Sequence, residues 1–206
     1  MQIEKSLAPI KPLLDTWGGL DGDKISWHPE QYVDFTSLST SEVNSWYSDT
    51  VTRTLESFSN FVRVWEVSFG TDYSRENEAK PMLLKWEIGT SYEDYIKKII
   101  GEIQSYSAPI YSLGMKVDLF VYVRTSESPS HPIQGWIRHF GEFKIWGGPE
   151  VGQEPGIFFE IGATLFHRSY FRYGDNSELY SLNSHLLTDA LHQWERHFGS
   201  LCREGG

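Results

Sequence analysis

Hydrophobic residues recur at two different spacings along this chain, and each spacing predicts a different secondary structure. Three segments place apolar side chains three or four positions apart, a pattern typical of a helix with one buried face. A capping box formed by Ser39 and Glu42 precedes the first segment, and Thr90 or Ser91 can cap the second. The predicted helices span residues 41–59, 90–106 and 179–198.

Five other segments are rich in β-branched and aromatic residues, a composition typical of strands. They span residues 61–70, 81–89, 116–124, 134–146 and 156–168. The connections within each group of strands are short, which excludes most parallel pairings. The sequence therefore predicts an α+β fold: a two-layer sandwich in which a mostly antiparallel sheet of about five strands carries the helices on one face.

The N-terminal residues 1–38 follow neither spacing. Proline and glycine interrupt them too often for a helix, yet they carry Trp17, Trp27, Tyr32 and Phe35. A disordered tail would contain fewer aromatic residues. We therefore expect an irregular arm packed on the body of a single domain that spans residues 1–206.

Alternation along the predicted strands separates an apolar face, which we expect the helices to cover, from a face that mixes aromatic and charged residues. By this alternation Trp86 and His139 fall on the apolar face. The mixed face has the composition of a protein contact surface. It is also compatible with a solvated face on which cross-strand pairs such as Lys144 with Glu160 contribute ~0.2 to 1 kcal/mol each. The predicted binding residues are Tyr122, Arg138, Phe140, Glu142, Lys144, Trp146, Phe158 and Glu160.

The glycine-rich stretch GGPEVGQEPG, residues 147–156, separates two of the predicted strands. A phosphate-binding loop leads into the N-terminus of a helix and avoids acidic side chains. This stretch leads into a predicted strand and carries Glu150 and Glu154. It is therefore predicted to be the turn of a hairpin.

Charge and cysteine content narrow the classes of function. The formal charge of -10, with a pI near 5.1, disfavours binding to nucleic acid or to an anionic membrane and favours a basic partner. Cys202 is the single cysteine, which excludes an intramolecular disulfide and a Cys-rich metal site, and we expect a cytoplasmic protein. His192 and His197 are five positions apart, a poor spacing for zinc on a helix, so no metal or cofactor is predicted.

Two functions fit these patterns. The first is a non-enzymatic, acidic binding or regulatory protein, in the manner of an immunity protein or inhibitor, that binds another protein through the mixed face. The alternative is a small-molecule-binding or catalytic domain with a pocket between the sheet and the N-terminal arm, where Glu142 and Glu160 act as paired carboxylates. The further residues of that pocket would be Trp17, Trp27, Tyr122 and Arg138.

Overall fold

The computed structural model describes residues 24–29, 33–70, 81–87, 89–125, 128–147, 155–162, 166, 169–170, 174–175 and 177–204. Within these residues the helices are α1 (Thr40–Phe58), α2 (Tyr92–Ser105) and α3 (Ser177–Phe198), with a short 3-10 helix at Phe35–Ser37. The strands are β1 (Lys24–Pro29), β2 (Val62–Gly70), β3 (Met82–Lys85), β4 (Ser112–Thr125), β5 (Ser128–Trp146), β6 (Gly156–Gly162), β7 (Ser169–Tyr170), β8 (Gly174–Asp175) and β9 (Leu201–Glu204).

The main sheet has seven strands in the order β3-β2-β4-β5-β6-β1-β9, and all of its neighbouring pairs are antiparallel. The predicted α+β class is confirmed, because the five strands expected from the sequence form the contiguous part β3-β2-β4-β5-β6 and the helices pack against them. Strands β1 and β9 extend this sheet beyond β6, and β7 and β8 form a separate pair.

Strand β1 lies inside the segment that was expected to be an irregular arm. Its backbone pairs with β6 from Lys24 opposite Gly162 to Trp27 opposite Phe159. The edge of β6 provides backbone hydrogen-bond partners for this segment. The local composition does not indicate this pairing, so the sequence did not predict the strand. Trp17 and Tyr32 lie outside the described residues.

The predicted capping box starts α1 as expected. The Ser39 hydroxyl accepts a hydrogen bond from the Glu42 amide, and the Glu42 carboxylate accepts one from the Ser39 amide at 2.8 Å. The Ser39 hydroxyl also donates to the Glu42 carboxylate at 2.6 Å, and this bond, followed by the one from the Ser39 amide, holds the pKa of Glu42 below its ordinary value. Ser91 caps α2 by accepting from the Asp94 amide. Both helix starts are therefore fixed by local chemistry.

The inner face of the sheet and the buried faces of the helices form one core. The inward residues of β4 that alternation selected, Val117, Leu119, Val121 and Val123, are all fully buried. At the centre the rings of Phe143 and Phe159 stack with centroids 4.3 Å apart, and Phe58 meets both edge-on. Trp194 of α3 closes this cluster 5.5 Å from Phe58. Rings packed in this way add to the stabilisation that comes from burying their area.

Buried polar side chains fix the helices to the sheet. The Asn183 side chain accepts from the Tyr122 amide and donates to the Tyr122 carbonyl, each at 2.8 Å. It thus bonds the edge of β4 at a position beyond the first residue of β2, Val62. Asn44 holds the connection from α2 to β4 by donating to two of its carbonyls and accepting from Ile110. The Tyr47 hydroxyl donates to the Gly147 carbonyl, and burial raises its pKa. These bonds hold α1 and α3 in position against the strands and connections that they contact.

The turn between β5 and β6 is a hairpin, as predicted, because Trp146 pairs with Gly156 and the two strands run antiparallel. Gly156 begins strand β6, so the stretch does not enter a helix. Glu150 and Glu154 lie outside the described residues. Among the described helices, none has the length and apolar content that crossing a membrane requires.

Candidate functional site

The outer face of the sheet is the face opposite the three helices. The register across β4, β5 and β6 brings most of the predicted binding residues together there: Glu142 lies opposite Glu160, Lys144 opposite Phe158, and Trp146 opposite Gly156. Of these side chains, Lys144 and Trp146 are exposed and the others are half-buried. The structure therefore groups Glu142, Lys144, Trp146, Phe158 and Glu160 on one surface.

The remaining predicted residues are placed differently. Tyr122 lies near the far end of β4, where Asn183 bonds its backbone and the ring of His185 is 6.0 Å away. Phe140 is half-buried and packs against the core. Arg138 is exposed in an irregular part of β5. The register leaves these three outside the pairs that hold Glu142, Lys144 and Trp146.

Charges on the outer face pair along β5 as well as across strands. The ammonium group of Lys144 lies 3.4 Å from the carboxylate of Glu142, two positions earlier on the same strand. The register puts Phe158, rather than Glu160, directly opposite Lys144. The carboxylate of Glu142 lies over Gly114, where a Cβ would be in van der Waals contact with the Glu142 Oε1 atom at 3.4 Å.

Trp146 is held in place although 38% of it is exposed. Its indole lies directly over Gly156, where any Cβ would collide with the ring. Glycine at this position is therefore required by the tryptophan rather than by a turn. The indole is an ordered surface group with one face available, the kind of group that contributes strongly at protein interfaces.

Two β-bulges interrupt the outer face on either side of β4. In β2 the register shifts between Val64 and Glu66, which makes Trp65 an extra residue; in β5, residues 138–140 oppose the single residue Asp118. His139 takes a left-handed φ of 58° and donates its amide to Asp118 at 3.1 Å. Bulges of this kind commonly re-aim side chains near functional sites.

The bulge corrects the predicted position of His139. Alternation placed His139 on the apolar face, but it is exposed and its ring stacks on Trp65 with centroids 3.9 Å apart and planes 6° apart. The bulge adds an even number of residues, so Ile137 and Phe143 on either side of it still point inward. A polar residue at an apolar position was the one sequence signal of this irregularity.

A second group on the outer face was missed by the sequence reasoning. Nε and Nη2 of Arg63 each donate to Asp118 Oδ2 at 3.1 Å, and both side chains are nearly inaccessible. The guanidinium carbon lies 4.9 Å from the centroid of Trp86 and 4.2 Å from that of Trp136. This is a desolvated ion pair between two indoles, with cation–π attraction from both rings.

Trp86 joins this group because β3 is shorter than predicted. The strand ends at Lys85, so Trp86 leaves the alternation that assigned it to the apolar face. Its indole N–H donates to the Thr90 carbonyl, and its ring meets Tyr92 edge-on. No pattern in the sequence marks the end of β3 at this residue.

Glu66 is the centre of a third ionic group. Its carboxylate lies 3.0 Å from the ammonium of Lys85 and 2.8 Å from that of Lys116, on the two neighbouring strands. Burial raises the pKa of Glu66, but the hydrogen bonds and positive charges of Lys116 and Lys85 lower it more, so the pKa lies below its ordinary value. The two lysine side chains are each 53% exposed, whereas the Glu66 side chain is 9% exposed.

The outer face is suited to contact more than to acid–base catalysis. A carboxyl group that acts as a general acid needs enclosed, apolar surroundings. The Glu142 side chain is 34% exposed and paired with Lys144. Trp17 and the side chain of Trp27, which the pocket alternative requires, lie outside what the structure describes.

A search for other sites finds little of the same quality. A shallow groove of about 510 Å³ lies on the helical layer and is lined by polar residues, Asn60, Asp189, His192, Gln193, Glu195 and Arg196. Within the described ranges, no group of three or more His, Cys, Asp or Glu residues could hold a metal ion. Comparison of the chain with protein-family models, curated proteins and solved structures finds no match.

Proposed function

We propose that this chain is a non-enzymatic binding or regulatory protein that binds another protein through the outer face of its sheet. In the part of the chain that the structure describes, the exposed large hydrophobic side chains are Leu83, 52% exposed, and Trp146, 38% exposed. Both lie on the outer face, because Leu83 pairs with Ser68 and Trp146 with Ser112. Their presence on the same face supports the proposal, since exposed aromatic and aliphatic side chains act as anchors at protein interfaces.

The order of the outer face also supports binding. The indole of Trp146 is fixed over Gly156, and the bulged region is fixed by the Arg63 and Asp118 pair. A surface that is ordered before binding loses less conformational entropy when a partner docks. The lone cysteine fits a reducing compartment, so we place this activity in the cytoplasm.

The direct test is capture of a partner from an extract of the native host. The test variant is Leu83→Ala with Trp146→Ala, and the control is Tyr180→Ala, a half-buried aromatic position on α3 outside the core. Phe140 is left intact because it packs against the core. We expect the test variant to lose capture while its melting temperature remains close to that of the control.

Chemical cross-linking followed by mass spectrometry then locates the contact. Cross-links that cluster on Lys85, Lys116 and Lys144 agree with the proposal, since these lysines lie on the outer face. Undiminished capture by the test variant, together with cross-links confined to Lys97 and Lys98 of α2, would show that the partner binds the helical layer and would rule the proposal out.

A further inference from the structure

The most exposed charged side chains on strands β3, β4 and β5 of the outer face have the opposite sign to the chain as a whole. Lys85, Lys116 and Lys144 have side chains that are 53%, 53% and 49% exposed. The carboxylates of this face are less exposed: the side chains of Glu66 and Asp118 are 9% and 3% exposed, that of Glu142 is 34% exposed, and Glu160 is half-buried. An approaching molecule therefore meets ammonium groups on a protein whose net charge is -10.

These ammonium groups are not neutralised one for one. Glu66 is shared by Lys85 and Lys116, and Glu142 lies beside Lys144. On the β3-β2-β4 part of the face, Lys85 and Lys116 thus share the single carboxylate of Glu66, which leaves a net positive charge there, while Glu142 and Glu160 lie on β5 and β6. The nearly buried Glu66 also holds both of its lysines in fixed positions, which reduces the entropy that a ligand must remove from them.

The floor between these lysines is made of small residues. One row across the sheet runs from Leu83 on β3 through Ser68 and Gly114 to Lys144 on β5. Three strand spacings separate its ends, about 14 Å. A Cβ on Gly114 would already approach the Ser68 hydroxyl to 3.3 Å, so this part of the floor is low and polar. An extended chain can lie in this trough, with Leu83 available for an apolar contact.

Resting on the proposed function, we infer that the partner docks on this trough through an acidic polypeptide segment that also carries apolar side chains. Its carboxylates meet Lys85, Lys116 and Lys144, and its apolar groups cover Leu83. Complementary charge speeds such an encounter and fixes its register. The basic partner expected from the net charge of the chain would instead suit surfaces away from this face.

The same charges argue against a nucleic acid as the occupant. A long polyanion that entered the trough would also pass over the surrounding surface, where the net negative charge of the chain resides. A short acidic segment avoids that repulsion because it ends where the positive region ends.

The test uses defined peptides and the full chain. A fluorescent decapeptide that alternates Glu and Leu is titrated with the protein by anisotropy, beside matched Gln/Leu and Lys/Leu peptides and a ten-residue oligothymidylate. The protein variants are Lys85→Gln with Lys144→Gln, and the control Lys97→Gln with Lys98→Gln on α2. Each double variant removes two positive charges. Both outer-face lysines are ion-paired, Lys85 with Glu66 and Lys144 with Glu142, and in the control Lys97 pairs with Glu93.

We expect the Glu/Leu peptide to bind tightest, and the outer-face variant to weaken it roughly tenfold at low salt while the control changes little. Lys116 remains in the outer-face variant and keeps Glu66 paired, so folding is expected to be preserved and is checked by melting.

The inference is overturned if the Glu/Leu peptide binds no better than the Gln/Leu peptide, or if the Lys/Leu peptide binds more tightly. It is also overturned if both double variants weaken binding of the Glu/Leu peptide equally. If oligothymidylate binds as tightly as the Glu/Leu peptide and depends on the same lysines, the occupant of the trough is a nucleic acid instead of a polypeptide. Dimerisation that depends on the same lysines, seen by sedimentation, would make a second copy the occupant. If the Leu83 and Trp146 variant loses capture while no acidic peptide binds, the proposed function stands and the partner is not acidic.

Discussion

Aromatic residues occupy both faces of the same sheet, but they contact different groups. On the inner face Phe143 and Phe159 pack against Phe58 of α1 and Trp194 of α3, and all four are fully buried. On the outer face Trp65 stacks on His139. Trp86 and Trp136 sandwich Arg63 on that face as well. The neighbours of a ring, rather than its chemistry, decide whether it serves the core or orders a polar surface.

The largest effect is expected from the direct comparison of two adjacent residues on β6. Phe159→Ala removes a fully buried ring and is expected to lower the free energy of unfolding by ~3 to 5 kcal/mol. Phe158→Ala removes a half-buried outer ring and should cost roughly 1 kcal/mol. Urea unfolding of both variants measures the difference. Equal losses would mean that the two faces are equally part of the core.

The next effect concerns the buried ion pair of the outer face. Asp118→Asn removes the charge that Arg63 needs in a nearly inaccessible site, and we expect a loss of about 3 kcal/mol. The control is Asp49→Asn, because Asp49 pairs with Arg53 on the exposed side of α1 and should change stability by less than ~0.5 kcal/mol. If the two variants have the same free energy of unfolding, the Arg63 and Asp118 pair contributes no more than a surface salt bridge.

Glu66 gives a pH dependence with a defined sign. Because its folded pKa is lowered, its ionised form stabilises the protein above its ordinary pKa, and that stability is lost as the pH falls through the lowered value. We expect Glu66→Gln to cost roughly 1 to 2 kcal/mol at pH 7. The cost should shrink as the pH falls below the ordinary pKa of a glutamate. A cost that stays constant from pH 7 down to pH 3 would contradict the ionic role.

The smallest expected effect lies at the bulge. His139→Gly and His139→Ala both remove the stack on Trp65, but only glycine adopts the φ of 58° without strain. The glycine variant should therefore be more stable than the alanine variant by about 1 kcal/mol. Thermal unfolding of the two variants side by side provides the measurement. An alanine variant of equal or greater stability would show that this backbone conformation costs nothing.

Much of the fold was predictable because its signals are local. The capping box at Ser39 and Glu42 fixed the start of α1, and the alternation along β4 identified its buried side. The pairing of Glu142 with Glu160 across β5 and β6 also agreed with the expected faces. In each case the signal resides within a few residues of the structure it specifies.

The parts of the site that the sequence did not predict depend on contacts between residues far apart in the chain. Arg63 finds Asp118 only because β2 pairs with β4, and it meets Trp136 only because β5 lies on the other side. The bulges at Trp65 and at residues 138–140 arise from the fit between strands. The sequence of one strand does not show this fit. Strict alternation applied across the bulge therefore assigns His139 to the wrong face.

The sequence alone determined the order of the central helices and strands and the division of most strands into an apolar and a mixed face, because periodicity is a property of one segment. Only the tertiary structure decided which charges are hidden and which are exposed. Glu66 and Asp118 are covered by their partners on neighbouring strands, while Lys85, Lys116 and Lys144 reach solvent. Burial results from the packing of several segments, so an acidic chain can present a cationic surface where its carboxylates are covered.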